Sequence, residues 1–503
     1  MKQRDAASSV SRTRDVYLGI DLGTSAVKVL ATSSLGRVLA KARQPLDLVA
    51  TTPLMAEQDA NAWWTATCAA VREVVHALPH AGDLAGIGLT GQKHALLVLD
   101  EDDQPLGPAV LWADGRARAE SEELALVYPA VRRRSGAHPL PGFLIPKWLR
   151  FLRTHPDVAR RAARLVFAKD WVGLRLTGRH ATDRSEASAS QVYDFRSDDW
   201  AEELWRVFEM PPLRAPVLRS TEVAGFVTRE AAEATGLPAG LPVAAGAGDN
   251  EAAALGAGAL GGGRVAVILG TSGTVVGWSL QRMPAGGLVW NRHVHPRGYA
   301  ATGTVMSAGR AIDWARSTFF PPATRMVEVL RAAEAADPTA GPLLFLPTLV
   351  GERSPVPDPE ASGAFAGLRP THQRGHLARA VLEGVALSLA EVIVLLRGAG
   401  VQVDELRLIS GGAASPFWRR LIGSAVGTPV RFVGHGHGPA MGAAVLGAAA
   451  VGRHGTLEEL AARWIEPGPV EAPDPAERER LRALAGPLRA LRTALRGVPL
   501  PPG

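Results

Sequence analysis

The sequence predicts an α/β protein made of two related halves, each opening on an apolar strand that ends in a turn of small residues. Three observations predict it. An apolar strand at 16–20 runs into Asp21-Leu22-Gly23-Thr24-Ser25 and then a second apolar run at 27–32. After Pro242 the pattern restarts, with a strand at 243–246, a helix from about Asn250, and a strand at 265–269 leading into Gly270-Thr271-Ser272. The chain has 503 residues, more than a single core normally holds.

The first two apolar runs are too close for an intervening helix and predict a β-hairpin. A second hairpin is expected from strands at 85–90 and 95–99 flanking a polar turn, with a helical region carrying Trp63 and Trp64 between the hairpins. From about Leu149 the pattern turns helical and Arg-rich. A strand at 406–409 ends in glycines, and a Gly/Ala-rich helix follows Pro439. The Gly-rich connection at 256–263 marks a boundary, so the expected organisation is a disordered extension at 1–14, a domain at 15–256 and a domain at 257–485. The Pro-rich stub after Arg496 is expected to be loose.

Hydrophobic residues make up 47% and charged residues 21% of the chain, a balance that fits a globular protein. Cys68 is the only cysteine, which excludes an intrachain disulfide and suits a reducing compartment. Residues 1–14 lack the apolar core of a secretory signal, and the most apolar tract, 439–451, is too short and too small-residue-rich for a membrane span. A cytoplasmic location is expected. The net charge of +6 and pI near 9.8 raise the question of nucleic acid. The arginines, however, are scattered through helical stretches and read as solvated helix faces.

Three segments share one design, an apolar strand ending in Gly, Thr or Ser: Gly19-Ile20-Asp21-Leu22-Gly23-Thr24-Ser25, Leu269-Gly270-Thr271-Ser272, and Ile409-Ser410-Gly411-Gly412-Ala413. Small residues let backbone N–H groups approach an anion, and hydroxyls add donors, so such turns suit phosphates. One alone would be an ordinary turn; three in one chain, in this order, make coincidence a poor explanation. Asp21, in the first turn, is placed to hold Mg²⁺ among phosphates, against the simpler role of a turn former. In Gly246-Ala247-Gly248-Asp249-Asn250 a strand delivers Asp249 through two glycines to a helix start. It reads as a general base that takes a proton from a hydroxyl attacking a γ-phosphate, or as a helix N-cap.

Two other patterns fail their context. Gly256, Gly258 and Gly261 match GxGxxG but follow a helical stretch rather than a strand. His435 and His437 lack nearby Cys or carboxylate partners and read as a loop. No Walker A motif occurs, which argues against a P-loop enzyme.

From about Val16 to Gly452 the sequence resembles the FGGY carbohydrate kinases, and within them the xylulokinases. The resemblance rests on 363–368, His376-Leu377 and 380–383, with further matches at Glu57-Gln58-Asp59, Lys169-Asp170, Gly351-Glu352-Arg353 and 438–444. It implies an actin-like ATPase (ribonuclease H-like) fold of two domains, each with a central mixed sheet flanked by helices. The N-terminal domain would bind sugar and the C-terminal domain nucleotide. It implies ATP and Mg²⁺, with Asp249 as proton acceptor and Asp21 at the metal. Gly23, Thr24, Ser25, Gly270, Thr271, Ser272, Gly411, Gly412 and Ala413 would fall on phosphate and nucleotide, and Lys93, His94, Trp112 and Asn250 around the sugar.

The sugar side departs from the pattern. Lys93 replaces the methionine of Gly-Gln-Met-His-Gly and Ala95 its last glycine; Ala113 replaces the asparagine of Trp-Asn-Asp-Gly-Arg, and Arg150 a tryptophan. Lys93 is either an exposed hairpin lysine or a cation beside His94 that donates to sugar hydroxyls. The expected acceptor is a ketopentose, D-xylulose first, with shifted or broadened preference. Another ketose, a polyol, or a silent nucleotide and sugar sensor on the same fold are the alternatives. The expected partners are a small sugar and ATP, with no nucleic acid and no membrane, and a homodimer is allowed.

Overall fold

A computed structural model describes residues 15–52, 54–129, 131, 138–283, 286–434, 438–452 and 455–496. The expected N-terminal extension, the stub after Arg496, and the loop histidines His435 and His437 lie outside the described residues. The chain packs as two compact units. The first takes the described residues of Met1–Gly258, Trp290–Gly298 and Gly438–Glu466; the second takes those of Ala259–Val289, Tyr299–His437 and Pro467–Gly503. The continuous second span at 257–485 is thus interrupted, because Gly438–Glu466 packs with the first unit.

The first unit is built on a mixed sheet. Its strands run in the order Val223–Phe226, Pro242–Ala244, Leu84–Gly91, Val16–Leu22, Ala26–Ser33, Val38–Pro45. The expected first hairpin forms, with Val16 opposite Ser33 and Leu22 opposite Val27. The expected second hairpin does not. Leu84–Gly91 runs parallel to Val16–Leu22, while Leu97–Leu99 leaves the sheet and pairs with Arg164–Val166. The reason lies in the apolar continuity of Leu84–Gly91, buried almost throughout, which suits a central parallel strand covered on both faces. His94, at φ +62°, turns the chain away.

Alternation along the strands assigns the two faces. Leu18, Ile20 and Leu22 join the core with Trp63, Val71 and Val74 of the helix Ala60–Ala77. Gly19 and Gly88, paired neighbours on the opposite face, meet the Gly/Ala-rich helix Pro439–Val451. A Cβ on Gly88 would lie 1.7 Å from the Ala443 carbonyl, and one on Gly19 1.8 Å from that of Ala440. This helix also receives the helix Asp249–Gly256: a Cβ on Gly442 would lie 1.9 Å from the Ala252 carbonyl. The small-residue tract therefore seats the helix that begins at Asp249. Gly256 serves this packing as well, 2.1 Å from the Gly438 carbonyl if given a Cβ. The helical region expected from about Leu149 is broken into Leu144–Thr154, Pro156–Ala159, Ala168–Thr177 and Arg184–Ala189, with short strands interspersed.

The second unit repeats the strand order. Tyr299–Val305, Gly273–Ser279, Arg264–Leu269, Glu405–Ile409 and Val430–Phe432 neighbour one another in that sequence, first antiparallel and then parallel. In the first unit Val38–Pro45, Ala26–Ser33, Val16–Leu22, Leu84–Gly91 and Pro242–Ala244 follow the same scheme. The helix Arg374–Gly398 covers the sheet of the second unit with an almost wholly buried middle.

Candidate active site

In the first unit, parallel pairing brings three strand ends together. Leu22 lies opposite Gly91, and Gly248 lies opposite Gly91 on its other side. Asp21, the segment after Gly91, and Asp249 thus gather at the carboxyl end of the sheet, where open α/β sheets bind ligands.

Asp249 is the first residue of its helix, and Gly248 is the N-cap without a side-chain cap. The N-cap reading of Asp249 is therefore corrected: its Oδ1 accepts from the Asn250 N–H at 2.8 Å, one residue on, which is not a capping bond. Among the described residues no side chain hydrogen-bonds its carboxyl. Burial pushes this carboxyl up from the usual 3.8 to about 7, with Lys93 opposing and Glu251 and Asp21 adding. Such a group is poised to exchange a proton near neutral pH. Asn250 beside it is half-buried.

Asp21 is buried and lies 3.5 Å from the Lys28 ammonium. Burial raises its carboxyl, which Lys28 only partly offsets. Thr24 is engaged on both sides. Its hydroxyl accepts from the Trp112 indole and donates to Gln92 Oε1, each at 3.0 Å. Its carbonyl accepts from Gln58 at 2.7 Å, and Gln58 also accepts from Trp63 and Gln92. Trp112 is thereby tied to the first turn. Gly23 and Thr24 are half-buried and Ser25 exposed, with the Ser25 carbonyl accepting from Leu46.

Lys93 is not an exposed hairpin lysine: it is 4% exposed. Its Nζ lies 2.8 and 2.9 Å from the two oxygens of Glu251. His94 is buried, stacks on Phe143 with centroids 4.4 Å apart, and donates its backbone N–H to Glu186. Ala113, at the departure beside Trp112, is exposed.

Sequence reasoning missed the supporting charges. Buried Lys169 bonds Asp170, lies 3.1 Å from Asp183, and donates to the Ala245 carbonyl. Asp183 accepts from Ser185, whose hydroxyl receives the Gly248 N–H at 2.9 Å. Buried Lys147 donates to the carbonyls of His94, Val110 and Leu111, and burial pulls its ammonium down to about 7. Lys169-Asp170 stood in a recognisable motif, but a buried role was not legible from it.

In the second unit, Arg264–Leu269 and Glu405–Ile409 are parallel, with Ile268 opposite Ile409, so the other two turns meet. Gly270, Thr271, Gly411 and Gly412 line one cavity of about 660 Å³, a size typical of small-ligand sites. Ser410, just before the Gly411-Gly412 turn, sits at φ +77°, a strained conformation for a non-glycine residue. Ala308, Gly309 and Arg310 N–H groups hold the carbonyls of Gly270 and Thr271. Ser272 and Ala413 are not among the walls; Ala413 is fully buried, its N–H bonded to the Ser410 carbonyl. The remaining walls include Ile312, Met326, Leu330, Phe417 and Trp418, a mainly apolar set that no local motif announced.

Two sheets of the same order, each ending in such a turn, define the actin-like ATPase class. Family models agree on the membership: residues 16–256 match the N-terminal domain, and residues 265–451 the C-terminal domain, of the FGGY family of carbohydrate kinases. The chain belongs to this family, and it is a carbohydrate kinase, for which ATP is the implied co-substrate. It is 35% identical to the xylulose kinase of Escherichia coli strain K12 over 88% of this chain and 92% of that one. A glycerol kinase of Geobacter sp. strain M21 is 31% identical over 90% of this chain and 93% of that one. The crystal structure of a xyloylose kinase from Brucella ovis superposes with a TM-score of 0.89 at 31% identity, covering 96% of this chain and 99% of that one.

Proposed function

We propose that the protein transfers the γ-phosphate of ATP to a primary hydroxyl of D-xylulose, giving D-xylulose 5-phosphate and ADP. The observation that carries this reading is the Asp249 carboxyl, held at the carboxyl end of the sheet with a proton affinity near neutrality. As the sugar oxygen bonds to phosphorus and the bond to ADP breaks, Asp249 takes the hydroxyl proton. His94, Asn250 and Trp112 surround the acceptor, and Lys93 stands behind Asp249 with Glu251. The similarity to xylulose kinase supports the sugar, and that to glycerol kinase is weaker.

Gly23, Thr24, Ser25, Gly270, Thr271 and Ser272 contact phosphates, and the cavity of the second unit takes the nucleoside. Ala413 supports the Gly411-Gly412 turn from behind. The sugar-side role thus falls to the leading domain 15–256 and the nucleotide-side role to the following one, from 257. Asp21 would hold Mg²⁺. The fit is chemical: a buried carboxylate supplies the oxygen donor that Mg²⁺ prefers. Among the described residues no cluster of three or more His, Cys, Asp or Glu could hold a metal, so nucleotide phosphates would complete the shell. Bound there, Mg²⁺ neutralises phosphate charge.

No helix among the described residues is long and apolar enough to cross a membrane. Dependence on ATP favours the cytoplasm, and size-exclusion with light scattering checks for a homodimer. The function is tested by ADP release across D-xylulose, L-xylulose, D- and L-ribulose and glycerol. D-Xylulose should give the highest kcat/KM. A polyol preferred by tenfold or more would overturn the assignment.

A further inference from the structure

Lys93 and Glu251 are 158 residues apart in sequence, yet they form a bidentate ion pair with almost no exposure on either side. Both press on the residue before Asp249. A Cβ on Gly248 would lie 2.7 Å from Lys93 Cδ, 2.8 Å from Cγ and 3.0 Å from Glu251 Oε2, so only glycine leaves room for them. Asn291 donates to Glu251 Oε1 at 3.2 Å, fixing the carboxylate from a third segment.

We propose that Lys93 and Glu251 are a coupled positioning pair that keeps a cation beside Asp249 without letting it bind and neutralise that carboxylate. This rests on Asp249 as the base. A buried ammonium seeks a carboxylate, and with Glu251 gone the carboxylates left in reach are Glu186 and Asp249. With Lys93 gone, Glu251 remains as an unpaired anion beside the base. Lys93 faces Glu251, Glu186 and Asp249; Asp249 faces Lys93, Glu251 and Asp21. Burial works against the Lys93 charge, but Glu251 and Glu186 more than offset it.

The test is a double-mutant cycle of Lys93→Met, Glu251→Ala and the pair, assayed for kcat, sugar KM and the acid limb of the pH–rate profile. Glu251→Ala should lower kcat about tenfold to a hundredfold and move the acid limb to lower pH. Lys93→Met should move it to higher pH. The double variant should recover to within about tenfold of the parent, with the limb back in place and the KM for sugar little changed. If a single variant does not fold, the double variant carries the test. Additive losses, or a double variant as inactive as Asp249→Asn, would overturn the pairing. Activity retained by Asp249→Asn would instead overturn the base on which it rests.

Discussion

Replacing Asp249 by Asn separates what this residue does for catalysis from what its burial does to the fold. Asn keeps the acceptor that Oδ1 offers to the Asn250 N–H and removes only the titration. The carboxyl rises from the usual 3.8 to about 7 on folding, which corresponds to an upper limit of roughly 4 kcal/mol. Because the residue is half-buried rather than sealed, a contribution of about 2–4 kcal/mol is expected. Its sign follows from linkage: the folded state binds this proton more tightly than the unfolded chain. The contribution of this one carboxyl is therefore fully present below about pH 4 and is lost as pH rises through about 7. The amide in its place does not titrate. At pH 8 the variant should melt roughly 4–10 °C above the parent, and at pH 4.5 the difference should shrink to about a quarter of that. Kinase turnover should fall by about 10²–10⁴. Differential scanning calorimetry at the two pH values, with ADP release at pH 8, provides both readouts. Equal Tm changes at both pH values would refute the buried-carboxylate argument; near-normal turnover would refute the general base.

Further outcomes follow from the same geometry. In the parent enzyme kcat/KM for sugar should decline below about pH 7, since only the ionised Asp249 accepts a proton; a flat profile from pH 5 to 8 contradicts this. Gly88→Ala places a methyl 1.7 Å from the Ala443 carbonyl and should destabilise the first unit by at least about 3 kcal/mol, read from the urea midpoint. Lys147→Met leaves three carbonyls without their donor. It should lower stability by about 1–3 kcal/mol and raise the KM for sugar while that for ATP stays unchanged. Gly412→Val drives a side chain against Trp418 and Leu269, 2.7 and 3.0 Å from the first added carbon. It should raise the KM for ATP about tenfold or more while leaving the KM for sugar in place.

Local pattern was enough for the duplicated α/β scheme, for the first hairpin, and for setting Asp21, Asp249 and the small-residue turns at strand ends. These signals are written in consecutive residues: apolar alternation, then glycine and hydroxyl side chains where the backbone turns. The pairing of Leu84–Gly91 was beyond such reading. A continuous apolar strand is equally compatible with a hairpin partner or a parallel neighbour, and burial on both faces decided for the latter. The return of Pro439–Val451 to the first unit was hidden likewise, since its fit depends on Gly19 and Gly88, hundreds of residues away. The charge state around Asp249 belongs wholly to tertiary structure. Lys93 read as an exposed cation or a sugar ligand until folding set it against Glu251. Sequence can name an ionisable side chain; only its distance from other charges and from water fixes what proton it holds.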